Sequence, residues 1–147
     1  MPEVALELLI RAPVERVWEA VTAIESYPDS MESVRSARIV EVMGPGERRS
    51  AWSVTLKGAI LEWEEMETLD PDEHVLSFHQ VAGDMERFDG AWHLEARDAA
   101  STNVRLSVSF EIGIPLLAEM LNPVAQRSLR ENCTDMLRGI ENDVLAA

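Results

Sequence analysis

The sequence predicts an α+β fold in which a curved, seven-stranded antiparallel sheet wraps around a long C-terminal helix. Two observations carry this prediction. Between residues 34 and 114, apolar and polar residues alternate along successive segments that turn residues separate, as in half-buried strands. From Pro115 onward, the apolar residues recur at the spacing of one helix face. Strands joined by hairpins form an antiparallel sheet, and the long helix can cover its apolar face.

The N-terminal part predicts one strand followed by one or two short helices. Residues 3–11 are apolar and follow no helix cap, which favours a strand. In residues 12–24, APVERVWEAVTAI, Pro13 suits a first helical turn, and apolar residues then recur at i, i+3, i+4 and i+7. Pro28 ends this pattern, so the following residues form a short irregular or helical connection.

Six further strands complete the predicted sheet, and turn sequences such as GPGE and LDPDE separate them. The most regular alternation runs from Val104 to Ile112. The predicted strands span residues 34–43, 49–58, 58–69, 74–81, 85–96 and 103–114.

The segment LEWEEMETLD, residues 61–70, supports two interpretations. Leu, Glu and Met favour a helix, but Glu67 would then lie on the apolar side of Trp63. In a strand, Leu61 and Trp63 face one side while Glu62 and Glu64 face the other. The alternation therefore favours a strand against intrinsic propensity.

The C-terminal helix contains Pro123, which should bend or restart it. A strongly twisted sheet of seven strands curls, and a helix laid across it need not fill the space beneath. This geometry predicts an internal cavity, the usual place for a small ligand.

Composition narrows the classes of function. The 147 residues are most simply one domain, residues 1–147, with a net charge of -14. This charge argues against nucleic acid and anionic membranes as partners. The single cysteine, Cys133, excludes an internal disulfide, and the three histidines have no further ligand at useful spacing, so we expect no metal and no cofactor.

Neither a basic leader nor a long apolar run marks the chain for export or membrane insertion. The N-terminal segment carries acidic residues before its apolar run, and no segment approaches ~20 uninterrupted apolar residues. We therefore expect a cytoplasmic protein without membrane insertion.

Two segments, RAPVERVWEAVTAIESYPDSM and FDGAWHLE followed by VRLSVSFEIGIPLLAEML, carry a family resemblance. In this order and spacing they resemble the START and birch-pollen-allergen-like superfamily, also called helix-grip or SRPBCC proteins. The resemblance covers nearly the whole chain and is strongest to the polyketide cyclase/dehydrase and coenzyme Q-binding branch. It implies that a polyketide, quinone or lipid binds between the sheet and the C-terminal helix.

The resemblance also implies which side chains line that cavity, with Tyr27 and Met31 near its mouth. The alternative for each of these residues is plain core packing. The predicted ligand-binding residues are Tyr27, Met31, Trp52, Leu61, Trp63, Phe78, Phe88, Trp92, Leu106, Val108, Phe110, Met120 and Val124.

Aromatase/cyclases of that branch carry a serine and an arginine two and four residues after the counterpart of Trp63, where this chain has Glu65 and Glu67. A tyrosine of that group corresponds to Val34, and a helical asparagine falls near Arg130. These departures argue against cyclase activity of that kind.

Glu65 and Glu67 are the candidate catalytic or anchoring groups, paired with Arg130. At the edge of an apolar cavity the charged form of a carboxyl is disfavoured, so its pKa rises and it can act as a general acid or base. The alternative is that this end of the strand extends past the cavity and both carboxylates are solvated.

Two functions follow from these observations. The first is binding of a hydrophobic small molecule without transforming it, and the alternative is a polyketide aromatase/cyclase that catalyses aldol cyclisation and dehydration. A basic protein partner, such as an acyl carrier protein, and a second copy of the chain are further candidate partners.

Overall fold

The structure is a computed structural model that describes residues 3–56, 59–111 and 115–145, with the side chains of residues 56, 59 and 115–125 left out of the description. The α+β prediction is confirmed. The elements in chain order are β1 (Glu3–Ile10), α1 (Val14–Thr22), a 3-10 turn (Ile24–Ser26), α2 (Tyr27–Ser30), β2 (Val34–Gly44), β3 (Glu47–Leu56), β4 (Ala59–Asp70), β5 (Val75–Gly83), β6 (Arg87–Asp98), β7 (Ser101–Glu111) and α3 (Pro115–Leu145).

The seven strands form one sheet in the order β1-β7-β6-β5-β4-β3-β2, and all neighbours are antiparallel. From β2 to β7 each strand pairs with the strand that follows it, as hairpin succession predicts. The first strand, β1, lies at one edge of the sheet and pairs with β7, with Val4 opposite Val108. β4 includes the whole of LEWEEMETLD, so the strand interpretation of that segment is confirmed.

The helix α3 is 31 residues long and contacts β1, β7 and β3 of the sheet. Its buried side chains include Leu129, Cys133, Leu137 and Ile140 at the spacing of one helix face. The helix is continuous through Pro123, so the expectation of a restart there is wrong.

A glycine sets how closely α2 approaches α3. A Cβ atom at Gly139 would lie 2.5 Å from Cγ of Met31 and 2.8 Å from the carbonyl oxygen of Ser30. Any larger residue would therefore push the two helices apart. Within the described part of the chain, no helix has the length and apolar character needed to cross a bilayer.

Candidate ligand-binding cavity

A cavity lies between the sheet and α3, where the sequence predicts one. The space between its lining atoms is about 690 Å³ when the open solvent at its mouth is included. The strands β3 to β7, the segment before β2 and the middle of α3 contribute its wall. The lining residues are Ile24, Tyr27, Trp52, Val54, Leu61, Trp63, Glu65, Glu67, Leu76, Phe78, Met85, Phe88, Trp92, Leu106, Val108, Leu129, Asn132, Cys133 and Met136.

The alternation of side chains along each strand explains this wall. On β4, every second residue from Leu61 to Glu67 faces the cavity, while Glu62 is exposed and Glu64 is half-exposed on the other face. The wall includes nine of the residues that the sequence suggests for ligand binding: Tyr27, Trp52, Leu61, Trp63, Phe78, Phe88, Trp92, Leu106 and Val108.

Two of the suggested residues lie in the core instead. Met31 and Phe110 are both buried, and neither lines the cavity. Met31 packs beside Gly139, so its expected place at the cavity mouth is wrong, and Tyr27 is buried in the wall rather than at an opening. The side chains of Met120 and Val124 lie outside the described residues.

Sequence reasoning also missed part of the wall. Val54 and Leu76 could have been found, because each stands two residues from a predicted lining residue on the same strand. The residues on the wall that were not predicted for ligand binding are Ile24, Val54, Leu76, Met85, Leu129, Asn132, Cys133 and Met136.

Aromatic rings form much of the wall. The rings of Trp52 and Trp63, opposite each other on β3 and β4, are stacked with centroids 6.0 Å apart and planes 2° apart. Phe88 lies 5.0 Å from Trp63 and 5.8 Å from Phe78, measured between ring centroids. Gly90 lies opposite Phe78 on β6, and a Cβ atom there would come within 2.9 Å of the Phe78 ring. This glycine therefore leaves room for one of the rings.

Both stacked indoles are fixed by hydrogen bonds to polar side chains. Nε1 of Trp63 donates to Oε1 of Glu65 over 2.8 Å, and Nε1 of Trp52 donates to Oγ of Ser50 over 2.8 Å. A buried indole N–H needs such a partner. The two bonds fix the orientation of both indole rings in the cavity wall.

Glu65 and Glu67 form a buried carboxyl pair at one end of the cavity. Their exposed fractions are 3% and 1%, so the alternative of two solvated carboxylates is wrong. Glu67 accepts a bond from Nε of Arg48 over 2.5 Å and another from Oγ of Ser50 over 2.8 Å. Arg48 also donates to the carbonyl oxygen of Thr22 at the end of α1 over 2.8 Å. One ion pair thus joins the sheet, the cavity and the first helix.

The two carboxyl groups differ in their protonation. Burial raises the pKa of Glu65 well above its usual range, and the hydrogen bond and negative charge of the neighbouring Glu67 raise it further. The bond from Trp63 and the charge of Arg48 act in the opposite direction and are smaller. The cavity therefore has a neutral carboxylic acid, Glu65, beside an ion-paired carboxylate, Glu67.

Two other titratable groups in the wall are inert. Burial, followed by the charge of Glu67, raises the pKa of Tyr27 well above its usual value, and the hydroxyl donates to the carbonyl oxygen of Val21. Burial raises the pKa of the Cys133 thiol to about 12. Both groups stay protonated near neutral pH, so neither is a nucleophile or a base there.

Arg130 does not join the carboxyl pair. Its side chain is exposed on α3, so the expected pairing with Glu65 or Glu67 is wrong, and Arg48 takes that position. The length of the connection between β3 and β4 could have indicated Arg48 as the partner of Glu67. If residues 57 and 58 are a two-residue connection, Arg48 stands opposite Glu67 and Ser50 opposite Glu65, which is the observed register.

A family profile described as "Polyketide cyclase / dehydrase and lipid transport" matches residues 10–137. The chain belongs to this family. The resemblance to the polyketide cyclase/dehydrase branch that the sequence segments carry is thereby confirmed. Members of this cyclase/dehydrase and lipid transport family bind hydrophobic small molecules, which agrees with the apolar wall.

The chain is also similar to a curated protein, the actinorhodin polyketide synthase bifunctional cyclase/dehydratase of Streptomyces coelicolor. It is 28% identical over 128 residues, which cover 83% of this chain and 40% of the relative. The chain thus spans well under half the length of that relative.

Solved structures show the same fold. TTHA0849 from Thermus thermophilus is similar with a TM-score of 0.92 and 31% identity, over 99% of this chain and 98% of that chain. The Zhui aromatase/cyclase from Streptomyces sp. R1128 has a TM-score of 0.84 and 21% identity, over 97% and 93% of the two chains. At this identity the second likeness concerns the fold alone.

Asn132 is the polar residue that α3 contributes to this family cavity. Its Oδ1 accepts from Oγ of Ser33 over 2.7 Å, and its Nδ2 donates to the carbonyl oxygen of Thr55 over 3.5 Å. Val34, at the tyrosine position, is buried and does not line the cavity.

The wall has no ligand set for a metal ion. Among the residues that the structure describes, no three His, Cys, Asp or Glu side chains lie close enough together to hold one. His79 and His93 are exposed, and His74 is bonded to Glu15 on α1 over 2.8 Å.

Proposed function

We propose that the protein binds a hydrophobic small molecule, a polyketide, quinone or lipid, and hydrogen-bonds one of its oxygen atoms through Glu65. The observation that carries this proposal is the buried carboxyl group of Glu65 in a wall of aromatic and aliphatic side chains, where burial raises its pKa and favours the neutral form. Flat ring systems would pack against the faces of Trp63 and Phe88. The carboxyl hydrogen that Glu65 shares with Glu67 would then turn to a carbonyl or hydroxyl oxygen of the ligand.

This anchor would fix the orientation of the ligand as well as its affinity. Pockets for small ligands are mostly apolar and contain a few polar groups that set orientation. A ligand oxygen placed against the apolar wall elsewhere would lose its bonds to water without gaining a partner. Beside Glu65, the same oxygen would gain one.

Replacing Glu65 by leucine is expected to weaken binding of 1,4-naphthoquinone about fivefold, because one buried hydrogen bond contributes on the order of 1 kcal/mol. Isothermal titration calorimetry at neutral pH measures this change. Glu64→Gln, on the opposite face of the same strand, is the matched control and should bind as the original protein does. Unchanged affinity in Glu65→Leu would rule out the anchor, and absence of binding to the unmodified protein would count against this ligand class.

Acid–base catalysis of polyketide cyclisation or dehydration is the second candidate function. It is favoured by an acid, Glu65, that lies beside a carboxylate within one wall of the cavity. In an aldol closure, the enol carbon of the ligand would attack the carbonyl carbon while Glu65 donates its proton to the attacked oxygen. The carboxylate of Glu65 would then take up the proton that the enol oxygen loses, so that the acid is restored. The relative from Streptomyces coelicolor is named as a cyclase/dehydratase, whereas the serine and arginine of aromatase/cyclases are replaced here.

If this chain is such an enzyme, its rate should fall as pH rises and Glu65 loses its proton. To test this, the rate of product formation from a short poly-β-ketone analogue is measured by aromatic absorbance over a pH series. Glu65→Gln should abolish the fall, since glutamine does not titrate in this range. A rate that does not depend on Glu65 at any pH would refute acid catalysis by this residue.

Partners and location belong to the same proposal. A tethered polyketide would be delivered by an acyl carrier protein. The net charge of -14 favours a different kind of partner, one with a basic surface. Native mass spectrometry would detect that complex or a second copy of the chain. We place this activity in the cytoplasm and in one domain.

A further inference from the structure

The charges at the polar end of the cavity are already matched to each other. Arg48 donates one bond to Glu67 and another to the carbonyl oxygen of Thr22. Glu67 accepts from Arg48 on one oxygen and from Ser50 on the other. The side chain of Arg48 is 11% exposed, and the side chain of Glu67 is 1% exposed.

No cation remains for a ligand in the part of the wall that the structure describes, because none of its lining residues is Lys, Arg or His. The only acid in that wall besides Glu67 is Glu65, which has a proton to donate. A neutral carbonyl or hydroxyl oxygen can accept a hydrogen bond from this acid. A ligand carboxylate could accept the same hydrogen bond, but its negative charge would then lie buried beside Glu67 with no counter-charge.

Burying an unpaired charge costs far more than burying a hydrogen-bonded neutral oxygen. Two carboxylates that lie close together repel each other strongly where water is excluded. The difference in burial cost between a neutral ligand and an anionic ligand does not depend on the shape of the ligand, because a ketone and a carboxylate on one ring system are nearly equal in size. It depends on the charge that the cavity wall leaves unmatched.

We propose that Glu67, by neutralising Arg48, makes the cavity selective for uncharged ligands, so that ketones, quinones, phenols and esters bind and free carboxylates do not. This inference rests on the proposed function and narrows its ligand class. Among lipids it excludes free fatty acids. Glu67 is then a specificity-determining residue, and it determines specificity through the arginine it pairs with.

The unmodified protein provides the first test, with 2-acetylnaphthalene and 2-naphthoate as a matched neutral and anionic pair. At neutral pH the ketone is expected to bind at least about tenfold more tightly than the carboxylate, measured by isothermal titration calorimetry. The preference should persist at high salt, where repulsion from the acidic surface is screened but the buried groups are not. Equal affinities would overturn the inference and leave the proposed function standing, whereas binding of neither ligand would overturn both.

Glu67→Gln provides the second test, because it frees the positive charge of Arg48 beside the cavity. Its affinity for 2-naphthoate is expected to rise about tenfold or more, with a smaller change for 2-acetylnaphthalene. Glu64→Gln removes the same charge from the opposite face of β4 and should leave both affinities unchanged. A gain for 2-naphthoate in Glu64→Gln equal to that in Glu67→Gln would overturn the inference.

The double variant Arg48→Met/Glu67→Gln covers the case in which Glu67→Gln does not fold. It removes both charges together, so its cavity again lacks a cation and should exclude 2-naphthoate as the unmodified protein does. Retained exclusion supports the inference. Tight binding of 2-naphthoate in this double variant would show that Glu67 does not act by neutralising Arg48. This result would overturn the inference.

Discussion

Replacing Glu65 by glutamine is expected to stabilise the folded protein at neutral pH, although it removes a buried hydrogen-bonding group. In the unfolded chain Glu65 ionises near its usual pKa of about 4.3, whereas in the folded protein its pKa is raised by burial and by Glu67. Between these two pKa values the folded state binds one proton more than the unfolded state. The free energy of unfolding therefore falls as pH rises, by at most about 1.4 kcal/mol per pH unit from this group.

Glutamine removes that dependence and can keep the bond from Trp63, since its amide oxygen can accept it. The gain should be absent near pH 4 and grow as the pH rises above the pKa that Glu65 has in the unfolded chain. Urea unfolding of both proteins over this pH range measures it, with Glu64→Gln as the exposed control. A gain of the same size at every pH would show that Glu65 does not titrate differently in the two states.

Replacing Arg48 by methionine is expected to destabilise the protein by about 3–5 kcal/mol, because it leaves the buried carboxylate of Glu67 without its counter-charge. Methionine fills much of the space of the arginine side chain, so the loss comes mainly from charge. Urea unfolding at neutral pH measures this loss.

The double variant Arg48→Met/Glu67→Gln separates charge from packing. If the single variant fails because of an unpaired carboxylate, the double variant should recover most of the lost free energy of unfolding. If it is as unstable as Arg48→Met alone, the arginine stabilises the protein through its bond to Thr22 and its packing, and the ion pair contributes little.

The strands could be predicted because alternation along one segment is a local property. LEWEEMETLD shows this: most of its residues favour a helix, yet Trp63 finds an apolar surface only if the chain is extended. The partner of Glu67 could not be found in the same way, because it depends on the register between two strands. That register follows from the length of the connection between them, which the sequence argument left open.

Apolar alternation identifies which side chains face inward, but it does not tell a cavity from a packed core. Trp92 and Phe110 have the same pattern in sequence, and only the first lines the cavity. That difference depends on the distance between α3 and each part of the sheet. On α3 itself, the lining residues Leu129, Asn132, Cys133 and Met136 follow the spacing i, i+3, i+4 and i+7. Arg130 lies off this series, which could have argued against it.

The pairing of β1 with β7 has a consequence for how the chain folds. The hairpins from β2 to β7 can form between neighbours in sequence, but β1 must wait for a strand that starts at residue 101. Contacts between such distant parts of a chain slow folding, because a long loop must close before they form. During synthesis the N-terminal strand thus leaves the ribosome first and joins the sheet among the last.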